Sequence, residues 1–333
     1  MNMINKDNNM QPQKRSARDF LELVSGKPWI WAFLAAGATY LATLLVVTNS
    51  AGAGALLYAA LTFASFSVIV GVGQMFVVTL GPGNVDLSIP ATMTLAATLS
   101  LKFMATDGAL IVPGVLIAIG VGLVCGLFNF SLILLLRIPP IIATLSSSFL
   151  FQSLAIWSNR GVRVKPPELL AQFSTGGIFG LPNVALIALL VSVLAWCVLE
   201  KTIAGRWVLA TGQNKRAARL GGVPVNAVRF VVYVGCAVLA GVAGFVLASF
   251  SGGANLNMGT EYMLMSIAVV VIGGSSIAGG NSNVPGIWGA ALFMFLIVSM
   301  LNSYGLGAGV RLMLTGLIIV SVVVLASKRR HQI

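Results

Sequence analysis

Charged residues are scarce in this chain. Of its 333 residues only 8% are Asp, Glu, Lys or Arg, whereas soluble proteins carry roughly 25%. Hydrophobic residues make up 58%, and the mean hydropathy is +0.97. A water-soluble surface cannot be built from so little charge, so the composition excludes a soluble domain. We predict an all-α, polytopic membrane protein.

Histidine and cysteine are also rare. The one histidine, His331, lies at the C-terminal tip, and Cys125, Cys197 and Cys236 lie singly inside apolar runs. These positions allow no histidine-based triad, no zinc motif and no redox pair of cysteines. The sequence also has no phosphate-binding loop of the form G-x-x-x-x-G-K-[ST]. We therefore expect no catalytic site, no metal and no cofactor, and any ATPase that works with this protein must be a separate chain.

Positive charge is abundant relative to negative charge, with a formal net charge of +12. In a soluble chain this would suggest nucleic acid as a partner. Here the cations lie in the N-terminal tail, in a central segment at about 201–228 and at the tip 328–330. This distribution is typical of cytoplasmic ends beside anionic membrane lipid. We expect a membrane-lipid environment and no nucleic-acid partner.

Apolar runs long enough to cross about 30 Å of hydrocarbon recur along the chain. They lie at about 29–48, 55–80, 87–106, 110–136, 138–158, 182–200, 229–250, 262–280, 285–303 and 309–327. About ten spans, six before the central basic segment and four after it, place that segment and both termini in the cytoplasm. Residues 1–28 would form a cytoplasmic tail and residues 29–333 the transmembrane domain.

One loop fits this topology less well, because Arg160, Arg163 and Lys165 fall on the outer side. A few translocated cations are tolerated, and Glu168 partly offsets them.

The central basic segment, GRWVLATGQNKRAARLGGVPV, runs from Gly205 to Val225. It predicts a short amphipathic helix that docks into a groove of a soluble partner. The apolar side of that helix would carry Ala210, Ala217, Ala218 and Leu220, and the basic side Lys215, Arg216 and Arg219. On charge alone, the segment is more typical of an ordinary positive-inside cytoplasmic loop.

A Gly- and Pro-rich break, LGPGNVDLSIP, interrupts the apolar runs between Leu80 and Pro90. It contains Asp86, the one acidic residue between Glu22 and Asp107. An ionisable residue at membrane depth usually marks a pathway or an internal partner, and a broken helix frees backbone groups that can line a cavity. The alternative is that Asp86 caps a helix that begins at Leu87. The sequence leaves both interpretations open.

The basic segment resembles the cytoplasmic loop of bacterial ABC importer permeases of the ribose and simple-sugar type. The pattern in that family is G-R-x-x-x-A-x-G-x-N-x-x-A-A-x-x-x-G. Here it is met by Gly205, Arg206, Ala210, Gly212, Asn214, Ala217, Ala218 and Gly222.

Three further segments resemble the same family. The segment from Gly83 to Pro90 is similar to G-G-I-D-L-S-V-G, with Asn84 and Pro90 as departures. The segment from Ile272 is similar to its Gly-rich signature, with Ser282 and Pro285 as departures. The segment from Ile138 is similar to I-P-P-F-I-A-T-L, with Gln152 where arginine is common. Four segments that occur in the same order as in the family are stronger evidence than any single Gly-rich stretch. A single stretch can be explained by close packing of membrane helices.

The resemblance implies a permease with Gly/Pro-interrupted helices and a cytoplasmic coupling helix. It would translocate a ribose-type monosaccharide across the bacterial inner membrane. Implied partners are ATP-binding cassette ATPase subunits, a periplasmic sugar-binding protein, and a second permease that is either an identical copy or a similar chain. The implied ATPase-coupling residues are Gly205, Arg206, Asn214, Arg216, Ala217, Ala218 and Gly222.

Candidate residues of the substrate pathway follow from polarity and position alone. They are Asn84, Asp86, Ser88, Thr144, Gln152, Asn255 and Ser276. Each could equally bridge two helices. The rival function is a carrier or channel driven by a proton or sodium gradient, which should show intramembrane ion-binding residues, and only Asp86 qualifies.

Overall fold

In the computed structural model, the regular secondary structure of the described residues is helical apart from one short hairpin. The described residues are 28–46, 52–159, 164–307, 309–310, 313–318 and 320–321. In the hairpin, β1 (Gly177–Ile178) pairs antiparallel with β2 (Leu181–Pro182). The all-α prediction is thus confirmed over these residues. The predicted tail at 1–28, the tip with His331, and Arg160 and Arg163 lie almost wholly outside them.

The chain forms the following helices in order. They are α1 (Pro28–Val46), α2 (Gly52–Thr79), α3 (Ile89–Met104), α4 (Ile111–Leu134), α5 (Pro140–Asn159), α6 (Glu168–Thr175), α7 (Asn183–Lys201), α8 (Ile203–Gln213), α9 (Lys215–Leu220), α10 (Val225–Phe250), α11 (Tyr262–Ile272) and α12 (Val284–Ser303). A 3₁₀ turn, Gly108–Leu110, precedes α4. The described residues between 309 and 321 are helical as well.

Six helical stretches of the described chain are long and apolar enough to cross a membrane. They correspond to the predicted runs at 55–80, 110–136, 138–158, 182–200, 229–250 and 285–303. A count of ten is not confirmed. The run at 87–106 is the 16-residue α3, and the run at 262–280 is helical only over the 11 residues of α11. At about 1.5 Å per residue, α11 covers roughly half of the hydrocarbon thickness.

The core is built around α2 and α10, which pack against each other. Helix α10 also packs on α3 and α4, while α7, α11 and α12 surround α2, and α1 packs on α12. Small residues permit the close crossing of α4 and α10, because a Cβ at Gly122 would lie 2.6 Å from Val238 Cα. The outer faces of α4, α5 and α7 are apolar and exposed, as in helices that face lipid or a partner subunit.

Candidate functional site

Residues 80–88, here called the first break, reverse the chain between α2 and α3. Left-handed backbone at Gly81 (φ +114°) and Gly83 (φ +76°) allows the reversal. The chain then turns back along α2, so that the Asp86 N–H donates to Gln74 Oε1 at 3.2 Å. Gln74 lies more than one helical turn before the end of α2. Helix α3 therefore begins inside the packed bundle.

Asp86 is buried, with 1% of its surface exposed. Its Oδ1 accepts from the Ser88 N–H at 2.8 Å and from Ser88 Oγ at 2.6 Å. Its Oδ2 has no hydrogen-bond partner among the described residues, and the Cys236 thiol lies close to the carboxyl group. The N-cap of α3 is Ser88 and the helix begins at Ile89. Asp86 therefore fixes the turn before the helix and does not itself cap it.

A hydrogen-bond chain continues from Asp86 into two other helices. Asn129 of α4 donates its Nδ2 to Ser88 Oγ at 2.7 Å, and Ser147 of α5 donates to Asn129 Oδ1. Both side chains are buried. The first break, α4 and α5 are thus joined by polar side chains in an apolar core, where an unpaired polar group would be costly.

Two more predicted pathway residues hold the first break. Thr144 of α5 accepts from the Leu87 N–H at 3.1 Å, and Asn84 Oδ1 accepts from the Tyr233 hydroxyl of α10 at 3.1 Å. The structure therefore brings four of the seven predicted pathway residues together here: Asn84, Asp86, Ser88 and Thr144.

The other three predicted pathway residues lie elsewhere. Gln152 is two turns farther along α5, where its Nε2 donates to the Leu256 carbonyl at 2.8 Å. Asn255 is exposed and accepts from the Asn257 N–H at 3.0 Å within its own turn. Ser276 belongs to a second Gly-rich loop, where its N–H donates to the Asn281 carbonyl at 2.9 Å.

Sequence reasoning missed four residues of this network: Gln74, Asn129, Ser147 and Tyr233. Gln74 and Asn129 are amides inside long apolar runs, and a polar side chain at membrane depth is a usable signal. Ser147 and Tyr233 give no comparable signal, because Ser and Tyr are common in membrane helices.

Residues 273–283, here called the second break, separate α11 from α12. Gly274, Gly279 and Gly280 all have positive φ. Asn283 caps α12 by accepting from the Gly286 N–H at 3.1 Å. The two sides of the break touch backbone to backbone, because a Cβ added at Gly286 would overlap the Gly273 carbonyl oxygen. The positive φ of Gly274 prevents the predicted run at 262–280 from being one continuous helix.

Both breaks meet the end of α8 at a point that we call the glycine junction, formed by Gly81, Gly212, Gly279 and Gly280. The Gly280 N–H donates to the Thr79 carbonyl at 3.0 Å. A Cβ at Gly212 would overlap that carbonyl oxygen and the Gly280 nitrogen, and one at Gly279 would overlap Gly81 Cα. Three segments that are far apart in sequence thus pack in direct backbone contact.

The basic segment forms two helices, so the prediction of one amphipathic helix is wrong. Helix α8 ends at Gln213, and Asn214 caps α9 by accepting from the Arg216 and Ala217 N–H groups, each at 3.0 Å. Gly222, with φ +82°, ends the α9 turn. Because the predicted ATPase-coupling residues lie in and beside α8 and α9, we call these two helices together the coupling segment.

The side chains of the coupling segment are not divided between an apolar face and a basic face as predicted. Ala218 is buried at 7% exposure, whereas Ala217, Arg206 and Arg216 are exposed and Leu220 is 90% exposed. Ala217 and Ala218 therefore do not share one docking face. Gly205 packs against α7, since a Cβ there would overlap the Leu199 carbonyl oxygen.

Comparison with known proteins identifies the family. The family described as "Branched-chain amino acid transport system / permease component" matches residues 56–323. A probable ABC transporter permease protein y4mJ of Sinorhizobium fredii is 33% identical over 260 residues, which is 78% of this chain and 77% of that protein. The autoinducer 2 import system permease protein LsrD of Photorhabdus laumondii is 29% identical, over 75% of this chain and 78% of its own length.

LsrD of Escherichia coli K12 is 28% identical over the same shares of the two chains. No solved structure matches. These relatives are named as permease proteins of an ABC transporter or of an import system. The family match covers most of the chain, including both breaks and the coupling segment, and the chain therefore belongs to this family of multi-pass ABC transporter permeases of the bacterial inner membrane.

Proposed function

We propose that the protein is the permease subunit of an ATP-driven importer for a small, neutral, polyhydroxylated solute. A ribose-type monosaccharide and an autoinducer-2-type solute are the two substrates to test first. The relatives named for autoinducer 2 import support the direction of transport and the solute class.

The chemistry of the first break supports a neutral solute. The groups gathered there are hydroxyls, amides and one carboxyl group already engaged by Ser88. Hydroxyl and amide groups suit the hydrogen-bonding needs of a polyol. An amino acid would bring a carboxylate that needs a cation or several N–H donors, and no Lys or Arg takes part in the described hydrogen bonds of this network.

The glycine junction is the observation that carries the ATP-driven mechanism. We expect two ATPase subunits to bind the coupling segment, a soluble binding protein to deliver the solute outside, and a second permease, identical or similar, to complete the pathway. Closure of the ATPase dimer would displace α8. Because the backbone of Gly212 is in direct contact with both breaks, that displacement would move both breaks. The substrate pathway would then open to the other side of the membrane.

The exposed Ala217 provides the test. In the assembled transporter, reconstituted in vesicles, Ala217→Asp should abolish ATP-dependent uptake while the melting temperature stays near that of the wild type, because an unpaired charge would be buried in the docking groove. Ala109→Asp, at an exposed alanine between α3 and α4, is the matched control. Uptake at the wild-type rate by Ala217→Asp would contradict the proposal.

The orientation is tested by labelling single cysteines in a background without the native ones. Cysteine at Arg216 should react only from the cytoplasm and cysteine at Gln172 only from outside. Labelling of both from one side would show that the number of spans between them is wrong by one.

A gradient-driven carrier is the second candidate, because Asp86 Oδ2 lacks a hydrogen-bond partner among the described residues and could bind a coupling ion. Vesicles with the permease alone and an imposed proton or sodium gradient separate the two functions. We expect no uptake without ATP. Gradient-driven uptake that disappears in Asp86→Asn would establish the carrier instead.

A further inference from the structure

A cavity of about 540 Å³ lies where α4 ends, α5 begins and α9 meets the first turn of α10. Four cationic side chains line it: Arg137 between α4 and α5, Lys215 and Arg219 of α9, and Arg229 of α10. No carboxylate is among the described residues that line this cavity. Three distant parts of the chain thus bring positive charge to one place without a negative partner.

The clustered charges act on one another. Partial burial, and then the charges of Arg229 and Arg219, lower the pKa of Lys215 below its usual value. Arg137 has φ +55°, in the left-handed region that residues other than glycine rarely adopt. Such a cluster favours an anion that neutralises it.

Apolar side chains line the same cavity as the cations. They include Ile133, Leu134 and Ile138, and Leu134 is 37% exposed. Cations at the ends of membrane helices, next to exposed apolar side chains, match the chemistry of a phospholipid at the membrane surface. The phosphate would contact the cations, and the acyl chains would lie along the apolar residues.

We propose that this cavity binds the headgroup of an anionic phospholipid. Asn226, which also lines it, would donate its amide N–H groups to the phosphate or glycerol oxygens. The inference depends on the membrane location of the chain and not on the transported solute.

Docking of the ATPase is less consistent with this cluster. Lys215 and Arg219 are four residues apart and so share one face of α9, and both line the cavity together with Arg229 of a membrane-spanning helix. Leu220 lines a second cavity together with Lys215, Arg216 and Arg219, whereas the exposed Ala217 lines neither cavity and is available to a soluble partner.

The test is the melting temperature of the full chain in neutral detergent with three additives: dioctanoyl phosphatidylglycerol, dioctanoyl phosphatidylcholine and inorganic phosphate. Of the three additives, we expect only phosphatidylglycerol to raise the melting temperature, by several degrees. The double variant Arg137→Gln/Arg229→Gln should lose this rise. Lys201→Gln, which removes a charge outside the cavity at the end of α7, should keep it.

Two results would overturn the proposal. One is an equal rise with inorganic phosphate at the same concentration, which would indicate a simple anion site. The other is a phosphatidylglycerol effect that survives in the double variant. If that double variant also no longer binds the ATPase subunits, the cluster is a docking surface for them.

A folding defect in the double variant does not prevent the test. Lys215→Gln changes one exposed side chain of α9, and mass spectrometry can count the phosphatidylglycerol that remains bound to the purified protein. We expect less bound lipid than in the wild type and in Lys201→Gln. Unchanged lipid in Lys215→Gln would contradict the proposal.

Discussion

The two breaks reverse the chain by different means. Side chains hold the first break: Asp86, Ser88, Asn129 and Thr144 form the hydrogen bonds that join it to α4 and α5. Backbone holds the second break, where Gly273 and Gly286 touch without room for a Cβ. A hydrogen-bonded turn can be altered one atom at a time, whereas a backbone contact is lost as soon as any side chain is added. The first break should therefore tolerate graded change and the second should not.

Gly286→Ala should have the largest effect. The added Cβ would overlap the Gly273 carbonyl oxygen in the core between α11 and α12, and separating these segments would open the packing. We expect loss of folded protein, measured as the monodisperse fraction in size-exclusion chromatography. Gly235→Ala is the matched control, because nothing lies within 4 Å of its added Cβ. Normal yield of Gly286→Ala would show that the backbone contact is not essential.

Asn129→Leu should have an intermediate effect. It removes the partner of Ser88 and of Ser147 together, and a buried polar group left unpaired costs about 1–3 kcal/mol. Ser147→Ala should cost less. Ser131→Ala, at a serine that bonds only within its own helix, should change the melting temperature least. Equal melting temperatures for the Ser147 and Ser131 variants would argue against the network.

Asp86→Asn should have the smallest effect, because an amide oxygen can still accept from the Ser88 N–H and hydroxyl. We expect a loss of about 0.5–1.5 kcal/mol, the usual net contribution of one hydrogen bond, with most ATP-dependent uptake kept. Asp86→Leu removes the acceptor and should stop uptake. Equal uptake by the two variants would show that the carboxyl oxygen does not hold the break.

The sequence predicted the location of the first break because Gly and Pro interrupt an apolar run there, whereas the predicted run at 262–280 extended into the second break. It also predicted four of the residues that meet at the first break. It could not predict that Gly81, Gly212, Gly279 and Gly280 meet, since contacts between distant glycines leave no pattern in one sequence. The prediction of a single coupling helix is wrong because Asn214 favours a helix start over a helix interior. Asn214 accordingly caps α9.

The burial of Ala218 could not be predicted from the sequence either. A six-residue helix between two turns shows too little periodicity to define a face. Its orientation depends on α8 and α10, which only the folded chain brings together.

The central claim is that the coupling segment drives both breaks through the glycine junction, and Gly212→Ala tests it most directly. The measurement is the ratio of solute imported to ATP hydrolysed by the reconstituted transporter. Because the added Cβ would displace the end of α8 from Thr79 and Gly280, we predict that ATP hydrolysis continues while this ratio falls at least about tenfold, or about 1.4 kcal/mol in coupling. A wild-type ratio in Gly212→Ala would contradict the account.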